Sequence, residues 1–274
     1  MNTKAPALFV SHGAPTFAVQ PGLLGPALAG LGKQLAELRA VVVVSAHWQT
    51  PGVQVMRTAA PDTIHDFGGF PPELYRLQYR SPGSPEVAAE AALVLEGAGY
   101  KVRFDDRRGL DHGVWVPLRY LISKANVPVV QVSMPYDLSA EGAVLLGNAL
   151  APLRERGVMI IGSGSLTHNL YEIGRRAPDD VAYAQSFASW VRRHVERRDI
   201  AALTDYRQRA PSAERAHPTE EHFLPLLVAL GASDAEDAVG VIEGGMTYGI
   251  LSMESYGFGF APDECGAANQ LLEA

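Results

Sequence analysis

Four short apolar runs rich in β-branched residues, at 7–10, 41–45, 127–132 and 158–161, set the tightest limit on how this chain can fold. Each run is continuous, not alternating, so both faces of the strand it forms must be covered. That is the pattern of a mainly parallel sheet buried between two layers. Helical periods fill the intervals, at 23–38, 85–96, 140–156 and 181–196. Ser84 before Pro85 matches an N-cap followed by proline in the first turn. This alternation predicts an α/β fold with a mainly parallel central sheet and helices on both faces. Further strands are expected at 53–57 and 239–243, a Gly- and Pro-rich loop at 61–72, and a loosely packed tail at 261–274.

With 274 residues, 47% of them hydrophobic, the chain can supply one large core, so a single domain over 1–274 is expected. The net charge of −7 and the scattered basic pairs Arg107-Arg108, Arg175-Arg176 and Arg192-Arg193 argue against a nucleic-acid partner. Such pairs read as solvated helix faces. Cys265 is the only cysteine, which excludes an intrachain disulfide and a cysteine-built metal cluster. No apolar run nears the ~20 residues needed to cross a bilayer, and no signal-peptide core is visible, so a soluble cytoplasmic protein without a membrane partner is expected. The sequence carries no signal for oligomeric state.

The placement of the eight histidines points to chemistry. His12, His47 and His168 each follow an expected strand, the last after the Gly-rich stretch Gly162-Ser163-Gly164-Ser165, read as a tight turn. The carboxyl ends of parallel strands share one edge, where ligands bind, and histidine is the commonest metal ligand. Each position alone also fits a hydrogen-bonded loop histidine; three at one edge are harder to account for that way, and a metal site at the carboxyl edge stands beside it as an equal alternative. The Gly-rich stretch lacks the Lys-Ser/Thr ending of a P-loop, the dinucleotide fingerprint and the Gly-x-Ser-x-Gly nucleophile pattern.

Six ordered segments carry a resemblance: ALFVSHGAP (7–15), VVVVSAHW (41–48), TIHDFGGFP (63–71), DHGVW (111–115), GSGSLTHN (162–169) and PTEEHFLP (218–225). Together they resemble the class III extradiol dioxygenases, the superfamily of the protocatechuate 4,5-dioxygenase catalytic subunit, and most closely its 4,5-DOPA dioxygenase-like branch. The resemblance implies a mononuclear iron(II) site and insertion of both atoms of O2 into a catechol-type ring beside the hydroxyl pair, giving a ring-opened semialdehyde. It carries over His12 and His47 as metal ligands, His222 as the third, and His168 as the catalytic acid/base. The protocatechuate enzymes have a glutamate where His222 stands. Without that carboxylate the two-His-one-carboxylate pattern of oxygen-activating iron is lost. Three neutral imidazoles leave the full +2 charge at the metal, and the same set also suits zinc, which could occupy the site as isolated.

Beside that set, His222 is expected at the start of an amphipathic helix ending near Gly231, with Glu221 a rival ligand facing another side. His112 is expected before a helix beginning near Val116 or Pro117, donating to substrate or bound oxygen, or else locked by Asp111. His65 and Asp66, with Phe67, Phe70 and Trp48, are expected to close over a substrate ring, or to form an aromatic satellite of the core. His217 and His194 are expected at the surface. Two rival activities remain on the sequence: a zinc-dependent hydrolase on the same three histidines, and a non-catalytic binding relative.

Overall fold

A computed structural model describes residues 4–35, 38–174 and 178–260. The strands are β1 (Ala7–Ser11), β2 (Ala40–Thr50), β3 (Val53–Met56), β4 (Val102–Asp105), β5 (Val129–Pro135), β6 (Val158–Gly164), β7 (Val239–Ile242), β8 (Met246–Thr247), β9 (Leu251–Ser252) and β10 (Ser255–Phe258). Eight of them form one sheet in the order β4-β3-β5-β2-β6-β1-β10-β7, and β8 pairs with β9 apart from it. The centre, β5-β2-β6-β1, is parallel; β10 and β7 continue it antiparallel on one side, and β3 pairs antiparallel to β5 on the other.

The helices are α1 (Leu24–Gln34), α2 (Pro85–Gly97), α3 (His112–Leu121), α4 (Ala140–Leu150), α5 (Pro178–Glu196), α6 (Ile200–Thr204), α7 (Tyr206–Arg209), α8 (Ala213–Ala216) and α9 (Leu224–Ala232). They explain why the strand runs are continuous. Val42 and Val44 pack toward Val87 of α2, Leu146 of α4, Phe187 of α5 and Leu227 of α9. Their neighbours Val41 and Val43 pack on the opposite face with Leu28 of α1 and Val114 of α3. Both sets are fully buried, and each such side chain contributes about 1.5–3 kcal/mol of transfer free energy. The α/β fold with helices on both faces is thus as expected. The Ser84 cap is also present, its hydroxyl accepting from the Val87 amide at 3.2 Å.

Several local expectations are corrected. Helix α3 begins at His112, because Asp111 takes extended backbone (φ −72°, ψ 169°) and its carbonyl accepts from the amides of Val114 and Trp115. Pro117 therefore lies inside the helix, not at its start. The 140–156 segment divides into α4 and a 3-10 turn at Ala151–Arg156, where Pro152 cannot supply an α-helical amide. The Gly-rich stretch after Ile161 is no turn: β6 runs through Gly164, buried throughout. Helix α9 is buried all round instead of amphipathic, and His222 lies in the turn before it. The short strands β4, β8, β9 and β10 and the helices α6, α7 and α8 have no counterpart in the sequence reading. The tail at 261–274 lies outside the described residues. Among those described, no helix is long and apolar enough to cross a membrane.

Candidate metal centre

His12 leaves the carboxyl end of β1, its amide held by the Gly164 carbonyl at 2.9 Å. His47 sits in β2 where its register against β5 shifts between Val44 and Gln49. The third histidine comes from a different direction. The turn before α9 docks onto the end of β6 through the Ser165 amide, which donates to the His222 carbonyl at 2.9 Å. A Cβ on Gly164 would collide with that carbonyl, so glycine in the strand is what admits the turn.

The three imidazoles converge. Ring centroids are 4.8 Å apart for His12 and His47, 5.1 Å for His47 and His222, and 5.4 Å for His12 and His222. The Nε2 atoms of His12 and His47 face each other at 3.0 Å. The His222 Nε2 is buried and has no hydrogen-bond partner. One ligand atom from each ring lies within 4.8 Å of the other two.

Behind the rings stand oxygens. His222 Nδ1 donates to Glu221 Oε1 at 3.0 Å. His12 Nδ1 lies 2.9 Å from Ser163 Oγ. His47 Nδ1 has Asp66 Oδ2 at the longer distance of 3.7 Å. Burial, and then the charges of neighbouring histidines, holds His12 and His47 well below the ordinary value of 6.5. Burial lowers His222 as well, against the opposing pull of Glu221. All three are therefore neutral near pH 7, which is the ligand form of imidazole. An unpartnered buried Nε2 on His222, two more facing each other on His12 and His47, and oxygens behind each ring fit a divalent ion held by three histidines.

His168 lies flat on His222, with centroids 3.4 Å apart and 8° between the planes. Burial, then His222 and His217, pushes it down to about 2. With His222 and Glu221 it forms a second close group of possible ligand atoms. His112 comes from the first residue of α3, its ring 4.0 Å from that of His47 and 5.4 Å from that of His12.

Asp111 does not lock His112. Its carboxylate accepts from Ser45 Oγ and Arg108 Nη2, each at 2.7 Å. The carboxylate beside His112 is Asp66, whose Oδ1 accepts from the His112 amide at 2.9 Å. His112 Nδ1 comes within 3.0 Å of the same oxygen at an angle short of a hydrogen bond. Burial pushes the Asp66 carboxyl up, but the His112 side chain and backbone outweigh it and hold the group at about 2. Asp66 thus faces two histidines.

The aromatic residues divide. Phe67 meets His112 edge-on at 5.7 Å, and Phe70 packs on Phe67 at 5.5 Å. His65 packs among Phe67, Tyr75 and Trp115, with its Nε2 3.0 Å from the Leu77 carbonyl. Trp48 is buried in the core beneath Arg108. His217 is corrected from surface to core: it is fully buried, with Nε2 2.9 Å from the Leu166 carbonyl and its ring against Phe187 and Phe223. His194 is not simply solvated either, lying 4.3 Å from the Trp190 ring and 3.1 Å from Asp199. The sequence reading missed the supporting parts played by Ser163 and Asp66. The only signal for Ser163 was a hydroxyl in a strand whose other residues are apolar or glycine.

A family model described as the catalytic LigB subunit of aromatic ring-opening dioxygenase matches residues 7–259. A 4,5-DOPA dioxygenase extradiol from Beta vulgaris is 38% identical over 256 residues, covering 91% of this chain and 95% of that protein. One of the same description from Escherichia coli (strain K12) is 36% identical over 268 residues, covering 94% and 96%. Among solved structures, an uncharacterized protein from Escherichia coli K12 superposes with a TM-score of 0.76 at 31% identity, covering 92% of this chain and 99% of that one. The chain belongs to the family of LigB-type aromatic ring-opening dioxygenases, and it is an extradiol dioxygenase.

Proposed function

We propose that the protein, as one catalytic domain over 1–274, uses iron(II) to open a catechol-type ring beside its hydroxyl pair, giving a ring-opened semialdehyde. His12, His47 and His222 hold the metal through Nε2. The observation that carries this reading is the buried, unpartnered Nε2 of His222, in a group where one ring nitrogen from each of His12, His47 and His222 lies within 4.8 Å of the other two. When bound, the iron supplies the redox chemistry between ring and O2. Zinc suits the same three imidazoles, so a preparation can carry it without turning over.

The remaining steps fall to side chains. His168, neutral because it is buried, accepts a phenolic proton at a ring nitrogen and later returns it, the work of a positioned acid/base. The negative charge left on the deprotonated substrate stabilises the imidazolium so formed. His112, held by Asp66 through its amide, presents its ring beside His47 to donate to substrate or oxygen. Phe67, edge-on to His112, offers an apolar wall to an aromatic ring, with Phe70 behind it. His65, packed on Phe67, and Asp66, bonded to the His112 amide, support that wall and the histidines, while Trp48 packs in the core beneath Arg108. A cytoplasmic enzyme with no nucleic-acid partner remains part of this reading, on the sequence's charge and hydropathy.

The hydrolase alternative needs a free carboxylate as base. Of the two candidates, Glu221 accepts from His222 Nδ1 at 3.0 Å and from Thr219 Oγ1 at 2.9 Å, and the buried Asp111 accepts from Ser45 Oγ and Arg108 Nη2, so both already serve other groups. Anaerobic loading with iron(II), followed by oxygen uptake on a panel of catechols, separates the readings: a hydrolase or a binding relative consumes no O2.

A further inference from the structure

A proline inside α3 lies at the head of a hydrogen-bond chain that ends on His12. In an α-helix the carbonyl of Gly113 would accept from the amide of residue 117, but Pro117 has none. The freed carbonyl is taken by Ser163, whose hydroxyl donates to Gly113 O. Ser163 is fully buried, and the same hydroxyl oxygen lies 2.9 Å from His12 Nδ1. A serine hydroxyl has one proton. With that proton committed to Gly113 O, Ser163 can only accept from the ring, so His12 must carry its proton on Nδ1. The lone pair is then on Nε2, the atom that faces His47 Nε2 at 3.0 Å. The α3 backbone can sit this close because Gly113 has no side chain: a Cβ there would be 2.7 Å from Ser45 Oγ and 3.0 Å from the His47 ring.

We propose that Pro117 and Ser163 are positioning residues for the centre, the proline withholding an amide so that the Gly113 carbonyl fixes Ser163, and Ser163 fixes His12 as the tautomer with Nε2 open to metal. The inference rests on the reading of His12 as a metal ligand. A second consequence is a trade of stability for metal affinity, since an interior proline weakens the helix that carries it.

The test is competition titration of the metal-free full-length protein with zinc(II), together with nitrogen NMR of histidine-labelled protein and thermal unfolding. In Pro117→Ala the new amide competes for Gly113 O, which frees Ser163 to donate to His12 Nδ1 and moves the ring proton to Nε2. Zinc affinity should fall about tenfold or more, within the range expected for removing an outer partner of a ligand. The His12 Nδ1–H signature should be lost while the metal-free protein melts at a higher temperature. Ser163→Ala should fall by a similar factor, and the double variant no further than Ser163→Ala alone, since both act through one chain. Wild-type zinc affinity in either single variant, or an unchanged His12 tautomer in Pro117→Ala, overturns the proposal. His12→Ala separates the two levels: zinc lost there but kept in Pro117→Ala defeats only this inference, whereas zinc kept in His12→Ala defeats the ligand reading beneath it.

Discussion

The imidazoles of His168 and His222 stack nearly parallel, 3.4 Å between centroids and 8° between planes, while only His222 has its Nδ1 bonded to Glu221. The stack sets the proposed acid/base directly against a proposed ligand, and it makes the division of labour between the two rings measurable.

Replacing His168 by Gln keeps hydrogen bonding but removes proton transfer. Iron stoichiometry should stay near wild type while turnover drops 10²–10⁴-fold, the usual contribution of a positioned acid/base. Iron lost in parallel with activity would make His168 a ligand, and the acid/base role would pass to His112.

Glu221 gives a contrasting outcome. It lies in the turn before α9, so the helical argument for excluding it as a ligand does not apply; instead its Oε1 accepts from His222 Nδ1 and Thr219 Oγ1, the position of an outer partner of His222. Glu221→Gln should weaken metal affinity about 10–100-fold yet still load fully at high metal, as expected for an outer partner. His222→Ala should not load. Loss of all metal in Glu221→Gln with retention in His222→Ala would reverse the assignment.

How far the sequence could be read follows from the range of each interaction. His12 is legible because a strand-end position is a local fact. His47 is legible as a residue of the β2 segment, but it lies within β2 at the register shift against β5, not past the strand's end as the apolar run alone suggests. The start of α3 is not, because Pro117 reads locally as a first-turn proline, and only Ser163, 50 residues away, accounts for the carbonyl it frees. Asp66 looks like a loop residue until it meets the His112 amide across a separation of 46. Strand β10, with sequence SYGF, is short and contains a glycine, and only its pairing with β1 and β7 makes it a strand.

Gly164 should tolerate nothing larger. Gly164→Ala places a Cβ against the His222 carbonyl and pushes the turn off β6. The expected cost is about 1–3 kcal/mol of stability, typical of overpacking, together with a lower metal affinity. Chemical denaturation and metal titration of the same variant check both, and wild-type values in each would mean that the turn docks elsewhere.

Stability should depend on pH through His217, which is fully buried and pushed by burial from 6.5 to about 3. Between those two values the unfolded chain binds a proton that the folded one does not, so stability is complete above pH 6.5 and is lost as pH falls toward 3. One such group contributes a slope of up to about 1.4 kcal/mol per pH unit. Urea unfolding of His217→Gln across that window should give a shallower slope than wild type by up to that amount; an identical slope would mean that His217 titrates normally.

The central claim is that three imidazoles, with no carboxylate, hold one iron that turns over O2. The direct measurement is anaerobic iron(II) loading of the wild type and of His12→Ala, His47→Ala and His222→Ala, followed by oxygen uptake on addition of a catechol. The account predicts one iron per wild-type chain, one O2 consumed per ring opened, and neither tight iron nor uptake in any of the three variants. Stoichiometric iron retained in any one of them, or iron-loaded wild type that consumes no O2 with any catechol, would contradict it.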